Sequence, residues 1–270
     1  MSDEISITRQ SSANNKPAAP TFPTEIIDLP SQGHFYDPKS KLSSGQIEVK
    51  LMTAREEDIL SSPNLLKKGL AIEKLLESLV VDKDINLDDL LIGDKNALIY
   101  SIRRLAYGDS YGPLEITCPK CSNVSKQNVD LSEIKYKEIE FEKYPRGINE
   151  FEYVLPKSKL TIKFKLLTAG DEKMIERDIE GFAKLKKESS SEITTRLKYM
   201  ITSINGDTDK SKIKSFIDNQ LLAMDSSAFR QYTKNFSPDV DSRFEYSCQE
   251  CSHQERVAVP MTVGFFWPNS

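Results

Sequence analysis

The residues best suited to chemistry are four cysteines, arranged as Cys118-Pro119-Lys120-Cys121 and Cys248-Gln249-Glu250-Cys251. A Cys-x-x-Cys turn at the tip of a hairpin points two thiolates at one spot, and structural zinc takes four such ligands in a tetrahedron. Each pair is therefore half a site. The pairs lie 248 − 118 = 130 residues apart, so a shared ion requires a fold that brings two distant turns together. The expected ligands are Cys118, Cys121, Cys248 and Cys251, and the expected metal is a structural zinc with no open position for catalysis. So few cysteines in a chain this long do not make a disulfide scaffold. Neither pair has the surroundings of a thiol oxidoreductase. Cysteine pairs holding no metal are the competing reading, and His253 is read as a solvated side chain rather than an accessory ligand.

Other constellations are missing. The two histidines, His34 and His253, fall in predicted turns with no nucleophile assignable to either. No Gly-rich phosphate loop follows a strand. Asp88-Asp89 and Glu56-Glu57-Asp58 sit at helix starts, where acids offset the helix dipole. Lys184, Lys186 and Lys187 read as a solvated helix face. The expectation is a protein that is not an enzyme.

The elements that must position the cysteines follow from periodicity and caps. Ile47–Met52 alternates as a half-buried strand. Thr53, with Glu56 three residues on, starts a helix, and Ser62-Pro63 starts another. Leu65, Leu66, Ile72, Leu75, Leu76 and Leu79 mark an apolar helical face. Asn86 caps a short helix with Leu87, Leu90 and Leu91. Asp94 is read as the cap of a helix burying Leu98, Ile102 and Leu105 and ending at Gly108. Strands at 114–117 and 126–131 flank the first cysteine pair. The second half repeats this order. A strand over 160–167 precedes a Thr168 helix start, with helices near 171–186, 192–203 and 210–222. Asp225 is read as the cap of a helix carrying Phe229, Tyr232 and Phe236, and strands at 243–246 and 254–259 flank the second pair.

Leu51-Met52-Thr53-Ala54 matches Leu166-Leu167-Thr168-Ala169 at an offset of 166 − 51 = 115. Asp94 lies 118 − 94 = 24 residues before its cysteine pair, and Asp225 lies 248 − 225 = 23 before its own. The fold class expected is α+β, a duplicated unit of helices plus a β-hairpin zinc knuckle, with two copies sharing one zinc-ribbon-like four-cysteine site. The division is a disordered arm over 1–25, a first unit over 26–135, a second over 136–260, and an aromatic tail over 261–270. Pro17, Pro20 and Pro23 bar a regular helix from the arm.

Two aromatic groups are candidate docking residues. Phe35 and Tyr36 follow the Pro30–Gly33 turn, and Phe265, Phe266 and Trp267 cluster in the tail. Large aromatics either seal a core or anchor a partner. With 38% hydrophobic and 29% charged residues the profile is soluble and globular. A net charge of −4 speaks against a general nucleic-acid role. Apolar runs are too short for a membrane span, no secretory signal follows Met1, and a cytoplasmic protein is expected.

Leu29-Pro30-Ser31-x-Gly33-x-Phe35-Tyr36, Thr53-x-x-Glu56-Glu57-Asp58-Ile59-Leu60, Gly93-Asp94, the Arg103–Tyr111 stretch ending Tyr107-Gly108-x-x-Tyr111, and Cys118-Pro119-x-Cys121 are similar to motifs of one family. In this order the chain resembles the baseplate hub and hub-assembly family of T-even-type bacteriophages, well over about residues 28–131 and loosely beyond. The resemblance implies a protein made in the cytoplasm of the infected bacterium and needed to build the central hub of the tail baseplate. It implies other tail and baseplate hub proteins as partners, and either a place in the virion or a chaperone-like role in assembly only. No nucleic acid or membrane is expected as a partner, and oligomerisation is left open. A zinc-ribbon adaptor of transcription or nucleic-acid machinery is the alternative. Glu245, Gln249, Glu250 and Glu255 around the second pair weigh against it.

Overall fold

The structure, a computed structural model, describes residues 23–185 and 192–267. It is mixed α+β, with small antiparallel sheets and eight α-helices among the described residues. Most of the expected 1–25 arm lies outside the described residues. Its last residues do not belong to an arm: Thr24–Asp28 forms strand β1, antiparallel to β2 (Gln46–Lys50), with Ile27 opposite Ile47 and both buried. The connection turns through Gln32 and Gly33, both at positive φ. A Cβ on Gly33 would sit 2.4 Å from the Ser43 carbonyl oxygen, so only glycine fits this turn.

Thr53 caps α1 (Ala54–Ser61), and its own amide donates back to Glu56, a reciprocal pairing that satisfies two orphan donors. Pro63 opens α2 (Pro63–Lys67), and α3 (Ala71–Leu79) buries Leu75, Leu76 and Leu79. The apolar face expected to begin at Leu65 starts later, because α2 buries nothing and Leu66 is exposed. After Asn86 only a single 3-10 turn forms, Leu87–Asp89.

Helix α4 (Ile92–Tyr107) corrects the expected cap. Leu91 is the N-cap residue, and Asp94 lies inside the first turn, fully buried. Its carboxylate accepts from the Ser31 amide at 2.9 Å, the Ser31 hydroxyl at 2.6 Å and the Tyr36 hydroxyl at 2.5 Å. Asp94 therefore ties the β1–β2 turn to the helix. Beside it, a Cβ on Gly93 would meet the Pro238 carbonyl oxygen at 1.9 Å, so glycine lets the 238–239 backbone lie against the helix start. Leu105, expected to face inward, is exposed. Gly108, at φ 79°, ends the helix as expected.

Beyond the hairpin β3 (Ser110–Thr117) and β4 (Val124–Asp130), the chain forms β5 (Lys135–Tyr136), β6 (Phe151–Val154) and β7 (Thr161–Phe164). Then come α5 (Ala169–Leu185), α6 (Glu192–Met200) and β8 (Ile201–Ile204). The helix expected over 192–203 thus stops at Met200, and Ile201–Ile204 becomes a strand paired with β7, whose other edge holds β6. Next are α7 (Lys210–Asn219), α8 (Ala223–Phe236) and β9 (Val240–Asp241), which pairs back onto β5. The hairpin β10 (Arg243–Ser247) and β11 (Gln254–Ala258) and a 3-10 turn over Val263–Phe266 complete the described chain. Leu222 is the N-cap residue of α8, and Asp225 sits in its first turn, accepting from the Lys157 and Ser158 amides at 2.6 and 3.0 Å.

One core runs through both halves, from Ile27 and Leu29 to Phe265 and Phe266. Arg103 is buried in it. Its guanidinium donates to the carbonyls of Phe265 (2.9 Å), Gly108 (3.1 Å) and Ser110 (3.2 Å) and faces the rings of Tyr107, Tyr111 and Phe265. Arg103→Met keeps much of the side-chain volume but strands three acceptors. It is expected to cost about 2–4 kcal/mol and to red-shift Trp267 emission by loosening the 263–267 segment. Unchanged emission and unchanged stability would show that the segment is held by packing alone.

Candidate metal centre

The two Cys-x-x-Cys turns are closed by the same local chemistry. The last paired residues of the hairpins are Thr117 with Val124 and Ser247 with Gln254, leaving the loops 118–123 and 248–253 at the tips. In the first, the Cys118 amide donates to the Asn123 carbonyl (2.8 Å) and the Ser122 amide to the Cys118 carbonyl (2.9 Å). In the second, the Cys248 amide donates to the His253 carbonyl (2.9 Å) and the Ser252 amide to the Cys248 carbonyl (3.0 Å). Ser122 and Ser252 both take a left-handed backbone, at φ 59° and 54°. This tight reversal folds the second cysteine of each pair back toward the first.

The hairpins face one another across a small interior of Ile116, Cys118, Tyr246 and Cys248, with Leu114, Phe244 and Val257 packed alongside. The Ser125 hydroxyl lies 3.3 Å from the Tyr246 hydroxyl, and the Gln127 side-chain amide donates to the Ser247 carbonyl at 3.2 Å. Across this seam the sulfurs interleave: Cys118 is 3.7 Å from Cys251, and Cys121 is 3.6 Å from Cys248. All four lie within 4.8 Å of one another. A tetrahedron of sulfurs at the usual Zn–S length of about 2.3 Å has edges of about 3.8 Å. A disulfide would need sulfurs about 2.05 Å apart. The spacing fits ligands around an ion and not a covalent bridge.

Electrostatics agree with the spacing. The Cys251 amide draws the Cys248 thiol down to about 6 against the opposing effect of burial, and the Glu250 amide adds to it. The Asn123 amide lowers Cys121 too. Hydrogen bonding to Cys251, burial and the other two thiols outweigh that and push it up to about 12. Four sulfurs this close resist becoming thiolates together unless a cation sits among them. The four cysteines can bind a metal ion. Cys118 and Cys248 are buried and Cys121 is exposed, so the cluster is open to solvent on one side. The His253 ring nitrogen lies 3.9 Å from a Glu255 carboxylate oxygen.

The aromatic candidates lie elsewhere. Phe35 sits among Phe141, Tyr144, Phe151 and Phe236, and the Tyr36 hydroxyl accepts from the Leu91 amide while donating to Asp94. Phe265 packs against Tyr100 and Tyr111, and Phe266 is fully buried. Phe35, Tyr36, Phe265 and Phe266, expected as docking residues, thus have their side chains packed inside the chain. Trp267 is partly buried and packs against the same core. Sequence reasoning passed over Ile116 and Tyr246, the residues that seat one hairpin on the other. Each stands two positions before a cysteine and so on the same strand face, a signal the sequence did contain.

Among the described residues no helix is long and apolar enough to cross a membrane. No curated protein and no solved structure matches the chain. A family model described as T4 bacteriophage base plate protein matches residues 29–267. That span takes in the Pro30–Tyr36 turn, the Asp94 tie, both cysteine hairpins and the Arg103 clamp, and on it the chain belongs to the T4 bacteriophage base plate protein family.

Proposed function

We propose that the protein is a non-enzymatic component of the baseplate hub, or a chaperone-like factor in its assembly, built from two copies of one unit clipped together by a single zinc ion on Cys118, Cys121, Cys248 and Cys251. Membership of the base plate family supports a structural role in the phage and contacts with other tail proteins. The observation that carries the mechanical reading is the meeting of four sulfurs from turns 130 residues apart. A closed four-thiolate site stiffens a scaffold and leaves the ion no position for substrate.

Support for duplication comes from matched residues in matched roles. Thr53 and Thr168 each bond the acid three residues on, Glu56 and Asp171. Leu90-Leu91-x-x-Asp94 and Leu221-Leu222-x-x-Asp225 stand at an offset of 225 − 94 = 131, and each aspartate binds the backbone of a turn between two earlier strands, Asp94 through the Ser31 amide and Asp225 through the Lys157 and Ser158 amides. Leu114, Ile116, Cys118, Ser122 and Val129 correspond to Phe244, Tyr246, Cys248, Ser252 and Val259, each at 248 − 118 = 130. The proposed units are 26–135, extended back to Thr24, and 136–260, with 261–270 as a tail.

Two measurements test this. Purified protein should carry one zinc per chain by elemental analysis. Phage lacking the gene should make tails without a completed baseplate, restored by supplying the protein in trans. Metal-free protein with intact hairpins would remove the clip, and normal tails in the deletion would remove the baseplate role.

A further inference from the structure

A cleft of about 500 Å³ opens between the start of α4, helices α6 and α8, and the stretch Ser237–Asp239. Its floor is apolar: Leu91, Ile92, Leu166, Leu197 and Met200. Its rim is not neutral. Lys137, Arg196, Arg230 and Lys234 line it against Glu192 and Asp239, a balance of 4 − 2 = +2 in a chain whose net charge is −4. The two acids are already engaged, Glu192 by Arg196 at 3.3 Å and Asp239 by Lys137 at 3.8 Å. Arg230 and Lys234 are exposed, stand one turn apart on α8, and have no side-chain ion pair or hydrogen bond among the described residues. Lys137 and Lys234 also line a second opening of about 540 Å³, where Lys135, likewise without a partner among the described residues, adds another cation and Glu133 and Glu138 add acids.

We infer that this cleft is a docking site for an acidic, apolar segment of another protein, with one or two aliphatic or aromatic side chains on the floor and carboxylates against Arg230 and Lys234. Charge complementarity selects this occupant. An apolar pocket takes the anchor, and two uncommitted cations at its lip reward carboxylates beside that anchor. A nucleic acid would leave the floor unused, since its phosphates seek cations and not aliphatic side chains. The floor combines the start of α4 from the first proposed unit with α6 and Leu166, in the connection after β7, from the second, so an occupant would bridge both. This rests on the proposed role in tail assembly, for which it supplies a contact surface.

The full-length protein is titrated with three labelled probes: a blocked amphipathic peptide of leucine and glutamate, its lysine-for-glutamate version, and its serine-for-leucine version. A single-stranded oligonucleotide forms a fourth arm. Saturable binding is expected for the leucine–glutamate peptide alone, weakened by salt and at least tenfold by Arg230→Glu with Lys234→Glu. Those residues are exposed, so the variant should melt as the parent does, and Arg230→Lys should retain binding. Equal binding of all peptides, binding untouched by the charge reversal, or oligonucleotide binding at the same residues would overturn the docking site. Infection separates the two ideas: a charge-reversed protein that binds no probe differently yet completes baseplates sinks only the cleft, whereas intact tails without the gene sink the assembly role.

Discussion

Replacing Cys121 and Cys248 by serine is expected to release the two hairpins while leaving the main core folded. The interior shared by β3–β4 and β10–β11 comprises four buried side chains, two of them cysteines. A two-stranded hairpin is marginal in water, and so small an interior adds little to that. With zinc bound, the site supplies what packing does not: structural zinc contributes on the order of 10 kcal/mol in small peptides. If even about 4 kcal/mol of that holds the hairpins together, local opening should become roughly a thousandfold more frequent in the variant. Hydrogen exchange should then accelerate across 110–130 and 243–258, with α4 still protected. A strong chelator should give the same pattern in the parent protein and no further change in the variant. Uniform acceleration over the whole chain would show the site to be part of global stability, and no acceleration would show it to be dispensable.

Asp94→Ala should be the most damaging change away from the cysteines, at about 3–5 kcal/mol, read as a lower denaturant midpoint. The loss strands the Ser31 amide, the Ser31 hydroxyl and the Tyr36 hydroxyl at a fully buried site. Asp94→Asn should cost less. Its carbonyl can keep the Ser31 amide, and its amide can donate to the hydroxyls. The two first-turn aspartates should also respond oppositely to pH. Burial raises Asp94 above the ordinary carboxylate value despite its three donors. A raised folded value favours the fold most below the unfolded value of about 3.9, and that advantage is lost as pH rises through the folded value. Asp225 goes the other way. Burial raises it, but the Lys157 and Ser158 amides and the Ser158 side chain outweigh this and hold it low. Its contribution is present above about pH 3.9 and lost as pH falls through the folded value. Asp225→Asn should therefore flatten the acid limb of the stability curve, and Asp94→Asn should not. Identical acid limbs would refute the contrast.

The sequence made some of this plain and concealed the rest for physical reasons. Thr53 with Glu56, Pro63 and Gly108 act through neighbours within four residues, so the reading of each is local and holds. The cysteine spacing likewise implied a convergence that the fold displays. The aspartates were misplaced by three residues because an acid favours a helix start both as its cap and in its first turn. Only the distant turn that Asp94 binds distinguishes the two. Strands β5 and β9 are two residues each and exist through partners far along the chain, Lys135–Tyr136 through Val240–Asp241. No window of sequence contains both sides of such a pair. Phe35 and Phe265 show the remaining limit, since burial in one's own core and burial against a partner draw on the same residue types. The α6–α8 cleft left only a faint trace, Arg230 and Lys234 four apart on a helix.

The wide separation of the sulfurs also sets a timetable for synthesis. Cys251 emerges from the ribosome 251 − 121 = 130 residues after Cys121, at 5–20 residues per second a delay of roughly 7–26 seconds. During that interval the first hairpin is a nascent ribbon offering two unpaired thiols. An ion captured then would be held by half a coordination sphere, open to exchange with rival metals, oxidants or the hairpin of a neighbouring nascent chain. Crowding of polysomes should therefore favour intertwined dimers that trade hairpins, and slowing translation between the two hairpins should raise their yield.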